Sequence, residues 1–94
     1  MSISAKRLRW FRNQILITDI IEELKVPHKI SEGFFRFLCP VCNDFHTATN
    51  KETNLGRCFR CKVNYNTIEI VMAVQDCCFL EAIEFLEKYT DKID

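Results

Sequence analysis

The sequence predicts an α+β fold: a short antiparallel sheet around two cysteine turns, flanked by N- and C-terminal helices. Three observations predict it. Cysteines fall in two pairs, Cys39-Pro-Val-Cys42 and Cys58-Phe-Arg-Cys61, with two residues inside each pair and fifteen between them. The stretch around the pairs holds short β-branched and aromatic runs broken by turn formers. Before Pro27 and after Asn66, apolar residues recur instead with a helical period. A two-residue gap lets a tight turn aim two thiolates at one point, and two such turns complete a tetrahedron around Zn²⁺. The middle therefore reads as a small zinc ribbon with two zinc knuckles. Cys39, Cys42, Cys58 and Cys61 hold one structural zinc. The alternatives are two disulfides, core cysteines or a redox motif, and the last needs one pair rather than two.

Residues 1–12 carry Lys6, Arg7, Arg9 and Arg12 with no acid, and read either as a flexible basic arm or as the start of the first helix. Phe11 to Lys25 has the apolar spacing of a helix, with a break near Thr18, a residue able to cap a new start. Pro27 ends it. Lys29 to Ser31 and Phe34 to Leu38 read as strands around a Glu32-Gly33 turn. Phe45 to Thr49 and Asn54 to Arg60 read as two more, joined by a loop over Asn50 to Thr53, with the second cysteine turn closing the last strand. Residues 28–62 make up the ribbon and residues 66–90 the C-terminal helices, within a single domain of 94 residues. Asn66 or Thr67 caps the first of those helices, which runs to Asp76. The last, Phe79 to Tyr89, turns Leu80, Ile83, Phe85 and Leu86 inward and sets Glu84 four residues before Lys88. Cys77 and Cys78 read as core or helix-start residues. His46 reads as an exposed strand residue, because four well-spaced cysteines leave no ligand position for it.

A domain this small buries limited apolar surface, and a bound metal supplies the missing stability. Thirteen basic and thirteen acidic residues cancel, so net charge argues for no polyanionic partner. The distribution is uneven. Lys25 to Lys62 holds seven basic residues against three acids, and Val63 onward holds two lysines against seven acids. A local positive patch matters where a net charge does not. Phe34, Phe35, Phe37, Phe45 and Phe59 interleave with Arg36, Arg57 and Arg60. Strand alternation sends phenylalanines to one face and arginines to the other. This reads either as core plus solvated surface, or as base stacking plus phosphate contact. No stretch is long and apolar enough to span a membrane, and the cysteine usage fits a cytoplasmic protein.

The order of parts resembles the N-terminal zinc-binding domain of bacterial and phage DNA primases. The residues that carry the resemblance run along nearly the whole chain. They are Ile15 to Leu24 (ILITDIIEEL), Phe37-Leu38-Cys39-Pro40, Cys58-Phe59-Arg60-Cys61, Ile68 to Met72 (IEIVM) and Phe79 to Leu86 (FLEAIEFL). The bacterial members have histidine as second ligand where this chain has Cys42. Four thiolates give the site a formal charge of about −2 rather than −1, and structural zinc accepts both sets. The family is glycine-rich around its last ligand; here stand Arg60, Lys62, Asn64 and Asn66. Asparagine adopts left-handed backbone conformations readily enough to keep the turn. The resemblance implies a non-catalytic domain that binds single-stranded DNA template in support of RNA primer synthesis during replication. Its expected partners are a catalytic primase core and a replicative helicase of the primosome, in a bacterial or phage-infected cell. The primer-synthesis domain of that family has no counterpart in these 94 residues. The expected nucleic-acid contacts are Arg36, Lys51, Arg57, Phe59, Arg60 and Lys62, with Lys6, Arg7, Arg9 and Arg12 able to add to them. The alternative is a protein–protein adaptor, in a replication or mobile-element complex, that docks a partner through its acidic C-terminal helix.

Overall fold

The computed structural model describes residues 3–93, in the order α1 (Ala5–Gln14), α2 (Ile17–Glu23), β1 (His28–Ser31), β2 (Phe34–Phe37), β3 (Thr47–Asn50), β4 (Leu55–Cys58), β5 (Val63–Tyr65), α3 (Thr67–Gln75) and α4 (Phe79–Ile93). The basic N-terminal stretch is helical from Ala5, and the Ser4 hydroxyl caps it by accepting from the Arg7 amide at 3.1 Å. The helix break falls at Ile15 and Leu16 rather than near Thr18. Its cap comes from across the fold. Asn54 Oδ1 accepts from the Ile17 amide at 2.9 Å, and Nδ2 donates to the Arg12 and Ile15 carbonyls at 2.7 and 2.6 Å. One buried side chain thus satisfies both the end of α1 and the start of α2.

β1 and β2 form a hairpin with Ser31 opposite Phe34. Glu32 and Gly33 both take positive φ, the twist that a two-residue hairpin needs. The second sheet has the antiparallel order β3-β4-β5. Its third strand departs from the expectation that the second cysteine turn closes the last strand. Val63–Tyr65 pairs back onto β4, with Val63 opposite Cys58 and Tyr65 opposite Gly56. Thr47 joins the two sheets: its hydroxyl accepts from the Phe37 amide at 2.8 Å and donates to the Phe37 carbonyl at 2.6 Å. Gly56 is where they press together, since a Cβ there would stand 2.9 Å from the Phe37 ring.

Helices α1 to α4 close over the inner faces. Phe11, Ile17, Ile20, Ile21, Phe37, Ile70, Val71 and Leu86 are fully buried. Asn66 and Glu69 form a reciprocal capping box on α3, and the Thr67 hydroxyl donates to the Phe11 carbonyl at 2.7 Å. Asp76 ends α3 in the left-handed region. Ile83 and Leu86 face inward on α4, as expected, but Leu80 is 50% exposed. It lines a groove between α1 and α4 with Ile3 and Ile83 rather than reaching the core. Among the described residues α4 makes two ion pairs, both to other helices: Glu87 with Arg7 at 2.9 Å and Lys92 with Glu23 at 3.0 Å. No helix among the described residues is long and apolar enough to cross a membrane.

Candidate metal centre and sheet face

Strand β2 delivers Cys39 and strand β4 delivers Cys58, so each sheet ends in one knuckle. In the first, the Cys39 amide donates to the Asp44 carbonyl at 3.0 Å and the Asn43 amide to the Cys39 carbonyl at 2.9 Å. In the second, the Cys61 amide points at the Cys58 sulfur at 3.4 Å. The residue after each second cysteine is left-handed: Asn43 at φ 55° and Lys62 at φ 57°. Asparagine takes this role in the first knuckle. In the second it falls to Lys62 rather than Asn64 or Asn66, where a non-glycine residue costs about 1–2 kcal/mol.

The four sulfurs lie within 4.8 Å of one another. Cys39 and Cys61 are 3.9 Å apart and Cys42 and Cys58 are 3.7 Å apart. A regular tetrahedron with Zn–S bonds of about 2.3 Å has edges of about 3.8 Å. The cluster has that size. Its proton chemistry points the same way. Cys39 sits at about 7: burial raises it, but the Cys42 and Val41 amides and the Cys58 and Tyr65 side chains together pull it down. Cys61 is pushed up to about 12, by burial first and then by its neighbours Cys42, Cys58 and Cys39. Cys42 is also raised, again chiefly by burial. Four adjacent thiols do not ionise together unless a dication lies between them, and four thiolates are a ligand set that zinc accepts. The Tyr65 hydroxyl stands 3.8 Å from the Cys39 sulfur, and burial holds its proton well above the usual phenol range. It donates to the Cys39 thiolate and orients it from outside the ligand set. The set is closed at four, so this is a single structural zinc site with no position for an activated water.

Cys77 lies apart with its sulfur 3.9 Å from the Val71 carbonyl, and Cys78 immediately precedes α4, its amide donating to the Glu81 carboxylate. Serine at either position leaves one zinc per chain in elemental analysis; loss of zinc from either variant would contradict the assignment. His46 is exposed, in the loop before β3 rather than in a strand, and stands 3.7 Å from Asp44.

The strand register sends Ala48, Leu55, Arg57 and Asn64 to the outer face of the three-stranded sheet. With Phe34, Lys51 and Phe59 they line one open groove. Phe34 is 49% and Phe59 54% exposed. The Arg57 guanidinium lies 5.8 Å from the Phe59 ring and donates to Asn64 Oδ1 at 3.3 Å. Of the six residues expected to contact nucleic acid, Lys51, Arg57 and Phe59 meet in this groove. Arg36 is on the same side, 5.5 Å from the Phe34 ring, but its guanidinium is engaged by the Thr47 carbonyl at 2.8 Å and Glu32 at 3.2 Å. Arg60 pairs with Asp44 at 3.2 Å, and Lys62 is exposed beside it on the knuckle, outside the groove. Phe34 was not among those six. In Phe34-Phe35-Arg36-Phe37 it shares a face with Arg36, while Phe35 and Phe37 turn inward.

A family model described as CHC2 zinc finger, the N-terminal zinc ribbon of DnaG-type primases, matches residues 3–93. No curated protein matches the chain.

Proposed function

The chain belongs to the CHC2 zinc-finger family, and from that premise we propose that its outer sheet face holds single-stranded DNA template in support of RNA primer synthesis. The observation that carries the reading is the groove itself. Two half-exposed phenylalanines, Phe34 and Phe59, share it with Arg57 and Lys51. A small ribbon has reason to bury its aromatics. Rings left at the surface beside cations suit bases and phosphates, and single-strand sites combine both. Zinc does no chemistry here; it fixes the sheet that presents the groove. Nucleotidyl transfer then belongs to a separate catalytic core, beside which this domain positions template, with a replicative helicase as a further partner.

Binding is modest and salt-dependent, because few phosphates are contacted. Fluorescence anisotropy with a labelled single strand and its duplex tests it. Phe59→Ala weakens single-strand binding by about 1–3 kcal/mol with little change in salt slope. Arg57→Ala lowers that slope by about 0.7. Binding untouched by both changes, in a folded and zinc-loaded chain, would refute the groove. It would favour an adaptor, for which half-exposed Leu80 in the α1–α4 groove is the supporting observation.

A further inference from the structure

Helix α1 exposes Lys6, Arg9 and Arg12, spaced three residues apart. Residues at this spacing are neighbours on a helix, so the three form one row, about 9 Å long at 1.5 Å per residue. Arg7 turns away from it, to Glu87 at 2.9 Å and to the rings of Trp10 and Phe11. No ion pair among the described residues takes up Lys6, Arg9 or Arg12.

Arg12, in the last turn, suits the helix dipole, but the N-terminal part of the row works against the helix. The first turn has no acid and carries Lys6, at the end where the helix dipole disfavours a cation. Like charges at neighbouring positions repel as well. A local rule broken with no folding gain marks a functional surface. The fold also fixes where the row leads. Asn54 Nδ2 donates to the Arg12 carbonyl at 2.7 Å, which holds the end of α1 against the β3–β4 turn. Lys51 of that turn rims the sheet groove. The β3–β4 turn thus links the groove that holds Arg57 and Lys51 to the end of α1 that carries Arg12, with Glu52 of the same turn the one acid lining the groove.

We propose that this row is a second phosphate-binding surface, along which a single strand seated in the sheet groove continues after passing Lys51. The proposal rests on the groove reading and extends it from a patch to a track with a direction. It predicts that affinity depends on oligonucleotide length, and that only the part beyond the groove depends on α1.

The test uses the zinc-loaded full chain with single strands of about 4 and about 12 nucleotides, one at the short end of ordinary single-strand sites and one well above it. The variant replaces Lys6, Arg9 and Arg12 with alanine, a strong helix former, so α1 is retained. The expected result is a loss of at least about tenfold for the long strand, with a salt slope smaller by about 2, and no change for the short one. Exchanging lysine and arginine at the three positions restores the long-strand affinity. If the alanine variant matches the wild type on both lengths, the track is wrong while the groove stands, and the row is left for an acidic protein surface. Equal weakening on both lengths also overturns it, since a diffuse field rather than a track would be acting. If the wild type binds neither length, the groove reading has failed first and the track falls with it.

Discussion

Replacing Cys39 by serine, or stripping the metal with a chelator, unfolds the ribbon. Structural zinc contributes about 10–16 kcal/mol of apparent binding energy in small finger peptides. A whole domain is stable by only about 5–15 kcal/mol. Cys39 and Cys58 are fully buried; Cys58 ends β4 and Cys39 follows β2 by two residues, so the metal ties both sheets. Without zinc, nothing binds the four sulfurs to one another, and the two knuckles lose the link that ties them together. The apolar cluster of Phe11, Ile20, Ile21, Val71 and Leu86 lies mainly among the helices, so some helical signal outlasts the sheet. Elemental analysis of the Cys39→Ser chain shows less than one zinc per chain, and circular dichroism shows loss of cooperative melting. A metal-free variant melting like the wild type would contradict this.

Asn54→Ala is the second large effect, and it leaves the zinc in place. Asn54 is buried, left-handed at φ 57°, and satisfies the Ile17 amide and the Arg12 and Ile15 carbonyls. Alanine leaves these backbone groups without their partner and strains its own backbone, a cost of about 3–5 kcal/mol in sum. For a domain of this size each kcal/mol lowers Tm by about 4–8 °C, so the melt falls by well over about 10 °C. Asn54→Gly relieves the strain but not the lost bonds and recovers only part. Asn54→Asp recovers less still, because a carboxylate accepts from Ile17 but has no proton to offer the two carbonyls. Thermal melts of the three variants at equal zinc content check the order.

These residues also mark where the sequence was readable. The zinc ligands were, because ligand type and spacing are local and the chemistry allows few other uses. The helix start at Asn66 and the Glu32-Gly33 turn were as well, since cap and turn signals act over a few residues. Asn54 was not, because its partners lie 37 to 42 residues away and nothing local distinguishes it from a loop asparagine. It also explains why the helix breaks before Thr18: the cap is tertiary. Strand β5 escaped because it has three residues, of which only Tyr65 is buried. The sheet face was half legible. Phenylalanines occupy both faces of β2, so alternation alone does not tell which face the core takes. Arg36 reads as a free cation in the sequence because the Thr47 carbonyl that holds it lies eleven residues on.

The most direct measurement of the central claim is a low-salt titration of a labelled single strand with the zinc-loaded chain, the same chain after chelation, and a duplex competitor. The zinc-organised sheet predicts that the loaded chain binds the single strand in preference to the duplex, that added salt weakens this binding, and that chelation abolishes it. A folded, zinc-loaded chain that ignores the single strand, or a chelated chain that binds it equally well, would contradict the claim.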